Sequence, residues 1–153
     1  MKKLEILLSL FLIILISCKD NSLENTKQEQ NINISWNVKT TQNNHIIAII
    51  KDTTEIYINN ENISSGDMIG VFYSKNDSLI CCGKIIWKNQ NEALTVWSDD
   101  PTTTNKDGLS EGEEMKWLIY HNNKNYVAYP EYYEGGNKFI SGGVFKLRKL
   151  STK

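Results

Sequence analysis

Cysteine, histidine and proline are scarce in this chain of 153 residues, which has three, two and two of them. Three cysteines are too few for a disulfide scaffold, so the stability of any folded domain has to come from a packed core. Cys81 and Cys82 are neighbours. Adjacent strand residues point to opposite faces, and a bond between them needs a distorted peptide. The pair therefore reads as two small apolar core residues rather than a vicinal disulfide. No C-x-x-C pair occurs, and His45 and His121 stand far apart in the chain, which leaves no Cys/His spacing for a metal. A charge imbalance is missing as well: 17 Lys and Arg against 18 Asp and Glu leave a net charge of −1. That gives no electrostatic case for a nucleic-acid partner. A Ser-centred nucleophile motif, H-E-x-x-H and a phosphate-cradling Gly loop are lacking too, so no enzymatic activity is expected.

Long apolar runs are absent except at the start, MKKLEILLSLFLIILISCKD. Lys2 and Lys3 form a short positive region, and Ile6 to Ser17 are nearly all Leu, Ile or Phe. About a dozen apolar residues suit the core of a signal peptide, whereas a spanning helix needs about 20. The run closes on Leu15-Ile16-Ser17-Cys18, which resembles the lipobox of bacterial lipoproteins. The resemblance implies that residues 1–17 are a cleaved signal peptide and that the Cys18 sulfur carries diacylglycerol. Two or more acyl chains anchor a protein stably, so it implies a membrane-anchored chain outside the cytoplasm that does not span the bilayer. The outer membrane is the expected location, with the domain facing periplasm or surface. Residues 18–33 would then be the lipidated Cys and a flexible tether. The stretch SLENTKQEQNIN is too polar to offset the entropy of ordering. Lys19 and Asp20, just after the Cys, resemble the surface-display stretch of Bacteroidota lipoproteins.

Residues 34–153 are long enough for one domain and too short for two. Their apolar residues come in short runs between polar turns: HIIAIIKD, EIYIN, MIGVFYS, LICCGKIIW, EALTVW, KWLIYH, NYVAYPEYY and GGVFKLRKL. These runs favour Ile, Val, Tyr and Trp, which suit a pleated, half-buried surface, and none keeps a helical period. The expectation is an all-β domain, a single antiparallel β-sandwich or barrel-like fold of roughly eight strands. Alternation places Leu79, Cys81, Gly83, Ile85 and Trp87 on one face of their strand. Trp36, Trp87, Trp97 and Trp117 are expected to anchor the core, with a ligand-facing role for some of them as the alternative.

One stretch fits neither strand nor short turn. VWSDDPTTTNKDGLSEGEE, Val96 to Glu114, carries Asp99, Asp100, Asp107, Glu111, Glu113 and Glu114. Three readings are open. Catalysis requires carboxylates whose pKa values are pushed apart beside a scissile bond, and Asp99 and Asp100 are sequence neighbours that would diverge. Calcium requires six to eight oxygens. Setting Gly108 at the glycine position of an EF-hand puts Thr103 where Asp belongs, between flanking strands, so this is not an EF-hand. A looser Ca²⁺ site of Asp99, Asp100, Asp107 and Glu111 remains open. The third reading is a solvated turn in which carboxylates accept backbone N–H bonds, Gly108 takes positive φ and LSEGEEM supplies a turn of helix.

Several segments taken together resemble a β-module of secreted and surface proteins of Bacteroidota. They are Gly66-Asp67-Met68-Ile69-Gly70-Val71-Phe72, Cys82-Gly83, Trp87, Trp97-Ser98-Asp99-Asp100-Pro101-Thr102, Lys106-Asp107-Gly108 and Gly112-Glu113. The chain departs from that pattern in carrying one copy, in Ser98 where Gly is commoner, and in the doubled Cys. The resemblance implies an extracytoplasmic interaction role with no established activity. The expected function is a lipid-anchored, non-catalytic binding module, with an envelope protein or a glycan as partner. An accessory structural lipoprotein and an enzyme of unrecognised type are the alternatives. Tyr126, Tyr129, Tyr132 and Tyr133 are the candidate ligand platform, against ordinary cross-strand pairing.

Overall fold

The computed structural model describes residues 32–153. The expected signal peptide, Cys18 and nearly all of the expected tether lie outside the described residues. Among those described the chain is all-β, without a helix. Ten strands follow one another: β1 Asn33–Ser35, β2 Asn44–Ile49, β3 Glu55–Ile58, β4 Glu61–Asn62, β5 Met68–Lys75, β6 Ser78–Ile86, β7 Glu92–Trp97, β8 Lys116–His121, β9 Lys124–Glu134 and β10 Val144–Thr152. All eight apolar runs are strands. The two additional ones, β1 and β4, are short and polar, with no alternation for a sequence reading to detect.

The sheet runs β1-β6-β5-β8-β9-β10-β2-β7, with the β3–β4 hairpin attached to β10. It is not purely antiparallel: β1 pairs with β6, and β2 and β3 with β10, in parallel. β2 and β3 share one edge of β10 because the chain jogs between them at residues 50–54. Thr54 Oγ1 fills the gap by donating to the Leu147 carbonyl at 2.9 Å. Asparagine makes the hairpins tight. Asn59-Asn60 and Asn122-Asn123 both take two consecutive positive φ angles, the geometry that matches strand twist in a two-residue turn.

β6 and β7 lie towards opposite ends of the sheet path, yet they meet. A Cβ on Gly83 of β6 would fall 2.3 Å from the Thr95 carbonyl oxygen and 2.9 Å from the Val96 Cα on β7. The sheet therefore curls back on itself, and glycine is the residue that permits the approach. A bulge accompanies it: Val71 faces Gly83 while Phe72 faces Cys81, so Cys82 is the extra residue. The bulge also corrects the expected alternation of β6. Leu79 and Cys81 point outwards, whereas Cys82, Ile85 and Trp87 pack inwards.

Inside the curl lies one core of Ile47, Ile49, Ile56, Ile58, Ile69, Val71, Leu94, Val96, Trp117, Ile119, Leu147 and Leu150. Each such side chain contributes about 1.5–3 kcal/mol on burial. Leu109, Met115 and Phe139 extend it beneath the long acidic loop. A second, smaller cluster of Phe72, Cys81 and Leu118 sits on the outer face of β5, β6 and β8. It is covered by a strap, residues 34–39, through Ile34, Trp36 and Val38. The Trp36 ring meets Phe72 edge-on at 4.8 Å, and its Nε1–H donates to Asn125 Oδ1 at 2.9 Å. Of the four tryptophans, only Trp87 and Trp117 are buried in the main core. Trp36 belongs to the strap, and Trp97 is half-buried at the start of the acidic loop.

Candidate functional site

The acidic loop is built from its own hydrogen bonds. Leu109 N–H donates to the Trp97 carbonyl at 3.1 Å and Asp99 N–H to the Leu109 carbonyl at 2.9 Å, which closes the base. Gly108 is required there for close approach, not for positive φ as expected: a Cβ would fall 2.1 Å from the Ser98 carbonyl oxygen. Asp107 is the hub. Its carboxylate accepts from Asp100 N–H at 2.9 Å, from Thr103 Oγ1 at 3.1 Å and from Lys39 Nζ at the end of the strap. The Lys39 ammonium, then the Asp100 amide, hold the Asp107 carboxyl down to about 2. Asp99 Oδ1 accepts from Asp107 N–H, and Asp100 Oδ1 from Thr102 N–H and Oγ1, which lowers the Asp100 pKa.

Glu111 turns away from this group and accepts from Ser141 N–H at 2.9 Å. Asp99, Asp100, Asp107 and Glu111 therefore do not converge as the calcium reading required. Among the described residues no group of three His, Cys, Asp or Glu is placed to hold a metal ion. Each carboxylate instead takes a backbone donor of its own, as the solvated-turn reading had it. The helical turn in LSEGEEM is replaced by a tight turn, with Gly112 at φ +76° and Glu113 N–H on the Ser110 carbonyl.

The tyrosines do not make one platform. Tyr132 and Tyr126 are partly buried against the core. The Tyr132 hydroxyl lies 3.4 Å from Asn137 Oδ1, and burial raises its pKa. Tyr129 and Tyr133 are exposed on the outer face, but Lys153 Nζ sits 4.5 Å from the centre of one ring and Lys146 Nζ 4.8 Å from the other. Each of these rings already carries a cation of its own chain.

The two histidines have different surroundings, and His121 is not isolated. Its Nδ1 lies 2.8 Å from Asp67 Oδ1, and its Nε2 2.7 Å from the Asn122 amide nitrogen. Both ring nitrogens are engaged and no nucleophile faces either, so the pair clamps the turn before β5 to the β8–β9 hairpin. His45 is fully buried against Phe139 and Phe145. Its Nδ1 accepts from Ile140 N–H at 3.2 Å, which puts the ring proton on Nε2, and that atom has no partner. Burial lowers its pKa. Cys81 and Cys82 are both free and buried, and burial raises the thiols, Cys81 to about 11. Neither is a nucleophile at neutral pH.

A cleft of about 600 Å³ opens elsewhere, between the turn at residues 51–55, the β3–β4 hairpin and the end of β6. Trp87, Tyr57 and Tyr133 supply aromatic surface, and Asp52, Glu55, Asn62 and Asn89 supply polar groups. Local bonds fix its rim. Tyr133 Oη donates to the Thr53 carbonyl at 3.1 Å, and Lys51 N–H to Asn91 Oδ1 at 3.0 Å. Sequence reasoning puts core packing of Trp87 ahead of a ligand-facing role. The signal it passed over is the polar run Lys88-Asn89-Gln90-Asn91 directly after that Trp. No family model, curated protein or solved structure matches this chain.

Proposed function

We infer that the chain is a lipid-anchored, non-catalytic binding module of a bacterial envelope, held outside the cytoplasm. The observation that carries the reading is Leu15-Ile16-Ser17-Cys18, at the end of an apolar run and ahead of a β-domain. The domain adds support from its chemistry. Both thiols in it are raised by burial, the His121–Asp67 pair is fully engaged, and the acidic loop spends its carboxylates on backbone. What remains open to a partner is a preformed cleft with mixed aromatic and polar walls, the composition of a recognition site.

Palmitate labelling of cells that express the full chain tests the anchor. The wild type is expected to take up label and to sediment with membranes, while Cys18→Ala stays unlabelled and keeps its signal peptide. Label in Cys18→Ala, or none in the wild type, sinks the lipoprotein reading. Capture of partners from detergent-solubilised membranes then tests the binding role. A stoichiometric envelope complex that forms without the cleft would favour the accessory-subunit alternative.

A further inference from the structure

We propose that the cleft beside Trp87 binds a neutral saccharide; the proposal rests on the binding-module reading and gives it a ligand class. Trp87 is 4% exposed. Its backbone is fully used: the N–H donates to the Asp67 carbonyl at 2.8 Å, and its own carbonyl accepts from Gly66 N–H at 2.9 Å. Its indole N–H has no acceptor among the described residues. Nor is that N–H sealed, because the one sealed, unpartnered polar side-chain atom among them is His45 Nε2. A nearly buried indole that lines the cleft therefore has a donor that is neither partnered nor sealed among the described residues. Tryptophans buried this deeply usually have a partner for that donor, and here no described residue supplies one.

The walls narrow the chemistry of what brings it. Asp52 and Glu55 bring acceptors to the lining, while Asn62 and Asn89 bring both donors and acceptors. Lys51 is the one cation among the lining residues, against two carboxylates. A phosphorylated or carboxylated ligand would meet net repulsion. An apolar ligand would leave the amides and the indole N–H unpaired. A polyol with hydroxyls at its edge and C–H groups on its face satisfies both halves of the lining. The hydroxyls pair with Asp52, Glu55, Asn62 and Asn89, and the C–H face lies on aromatic carbon. The volume suits a short stretch of sugar rings rather than a polymer groove.

The rim is set in advance. Asn89 holds positive φ at the end of β6, and Tyr133 is tied to Thr53 across 80 residues of sequence. Binding therefore orders little that is not already ordered, which favours affinity in a shallow site.

The test is calorimetric titration of the full, lipidated chain in detergent with cellohexaose, maltohexaose and chitohexaose, and with a Lys-rich peptide as a competitor class. At least one of the three sugars is expected to bind with Kd near or below about 1 mM. Glu55→Gln and Asn89→Ala, both at exposed positions, are expected to weaken it by about fivefold to tenfold each. Trp87→Phe keeps the ring, loses the N–H and is expected to weaken it likewise, with circular dichroism as the check on its fold. Binding confined to the Lys-rich peptide overturns the proposal, as does absence of binding to all three sugars. Sugar binding that Glu55→Gln and Asn89→Ala leave intact overturns the cleft but keeps the binding module. A captured membrane partner indifferent to the same variants has the same meaning, so failure of the cleft and failure of the module are separable.

Discussion

Lys39 and Asp107, 68 residues apart in sequence, are joined by an ion pair that fastens the end of the strap to the hub of the acidic loop. Two elements that cover opposite parts of the sheet are thereby made to depend on one carboxylate. The loop keeps its shape because Asp107 is charged, and the strap is held where that charge sits.

Acid should therefore weaken the domain through Asp107. Its folded pKa of about 2 lies below the usual 3.8. The carboxylate's contribution is fully present above pH 3.8 and is lost as pH falls through the folded value. Asp107→Asn is expected to flatten the acid limb of a stability–pH curve between about pH 4 and 2. At neutral pH, Asp107→Ala is expected to cost about 1–2 kcal/mol, because the Asp100 N–H loses its acceptor. Urea melts across pH check both.

Buried His45 acts in a higher window with the same sign. Its folded pKa is lowered below 6.5, so the unfolded chain binds more protons as pH falls. Stability is complete above pH 6.5 and declines below it. His45→Phe is expected to remove that decline while leaving the Ile140 N–H without an acceptor. The melting temperature at pH 8 should therefore drop even as the slope below pH 6.5 disappears.

Curling of the sheet depends on the missing side chain at Gly83. Gly83→Ala puts a methyl against Thr95 and Val96 backbone, which has no room to yield, and is expected to cost about 1–3 kcal/mol. Gly136→Ala meets nothing within 4 Å and is expected to stay within about 0.5 kcal/mol. Equal effects of the two substitutions in thermal melts would contradict the close approach of β6 and β7.

Strap opening has its own reporter in Cys81, buried on the outer face beneath it. Trp36→Ala removes the edge-on contact with Phe72 and the bond to Asn125. It is expected to speed thiol labelling of Cys81 by about tenfold or more under native conditions, with Cys82 still protected in the main core. Unchanged labelling would mean that the strap does not guard this site.

The fold was more legible in the sequence than the site. Period-two apolar runs disclosed eight strands, because half-buried strands must alternate. β1 and β4 have no such runs and exist through their partners, β6 and β3. Parallel pairing on β10 was hidden because register is a tertiary property. The facing of Leu79 and Cys81 was misplaced by a single bulge residue, which alternation has no means of foreseeing. Asp99, Asp100 and Asp107 were seen as a group, and the structure does bring them together, but around backbone amides. Glu111 was misassigned because its partner, Ser141, lies 30 residues away. The cleft escaped notice because it joins the turn at residues 51–55, the β3–β4 hairpin, Trp87 and Tyr133, each unremarkable alone.

A pull on the domain from its N-terminal side enters at β1, three residues laid parallel against β6. Load would pass next along the strap to Lys39, and only then to β2 and the core. These first contacts are few, so on the proposed lipid anchor drag would be relieved by peeling the strap before any core strand is stressed. The chain thus has a segment folded onto its own surface whose release would lengthen the proposed tether and leave the curled sheet and its cleft intact.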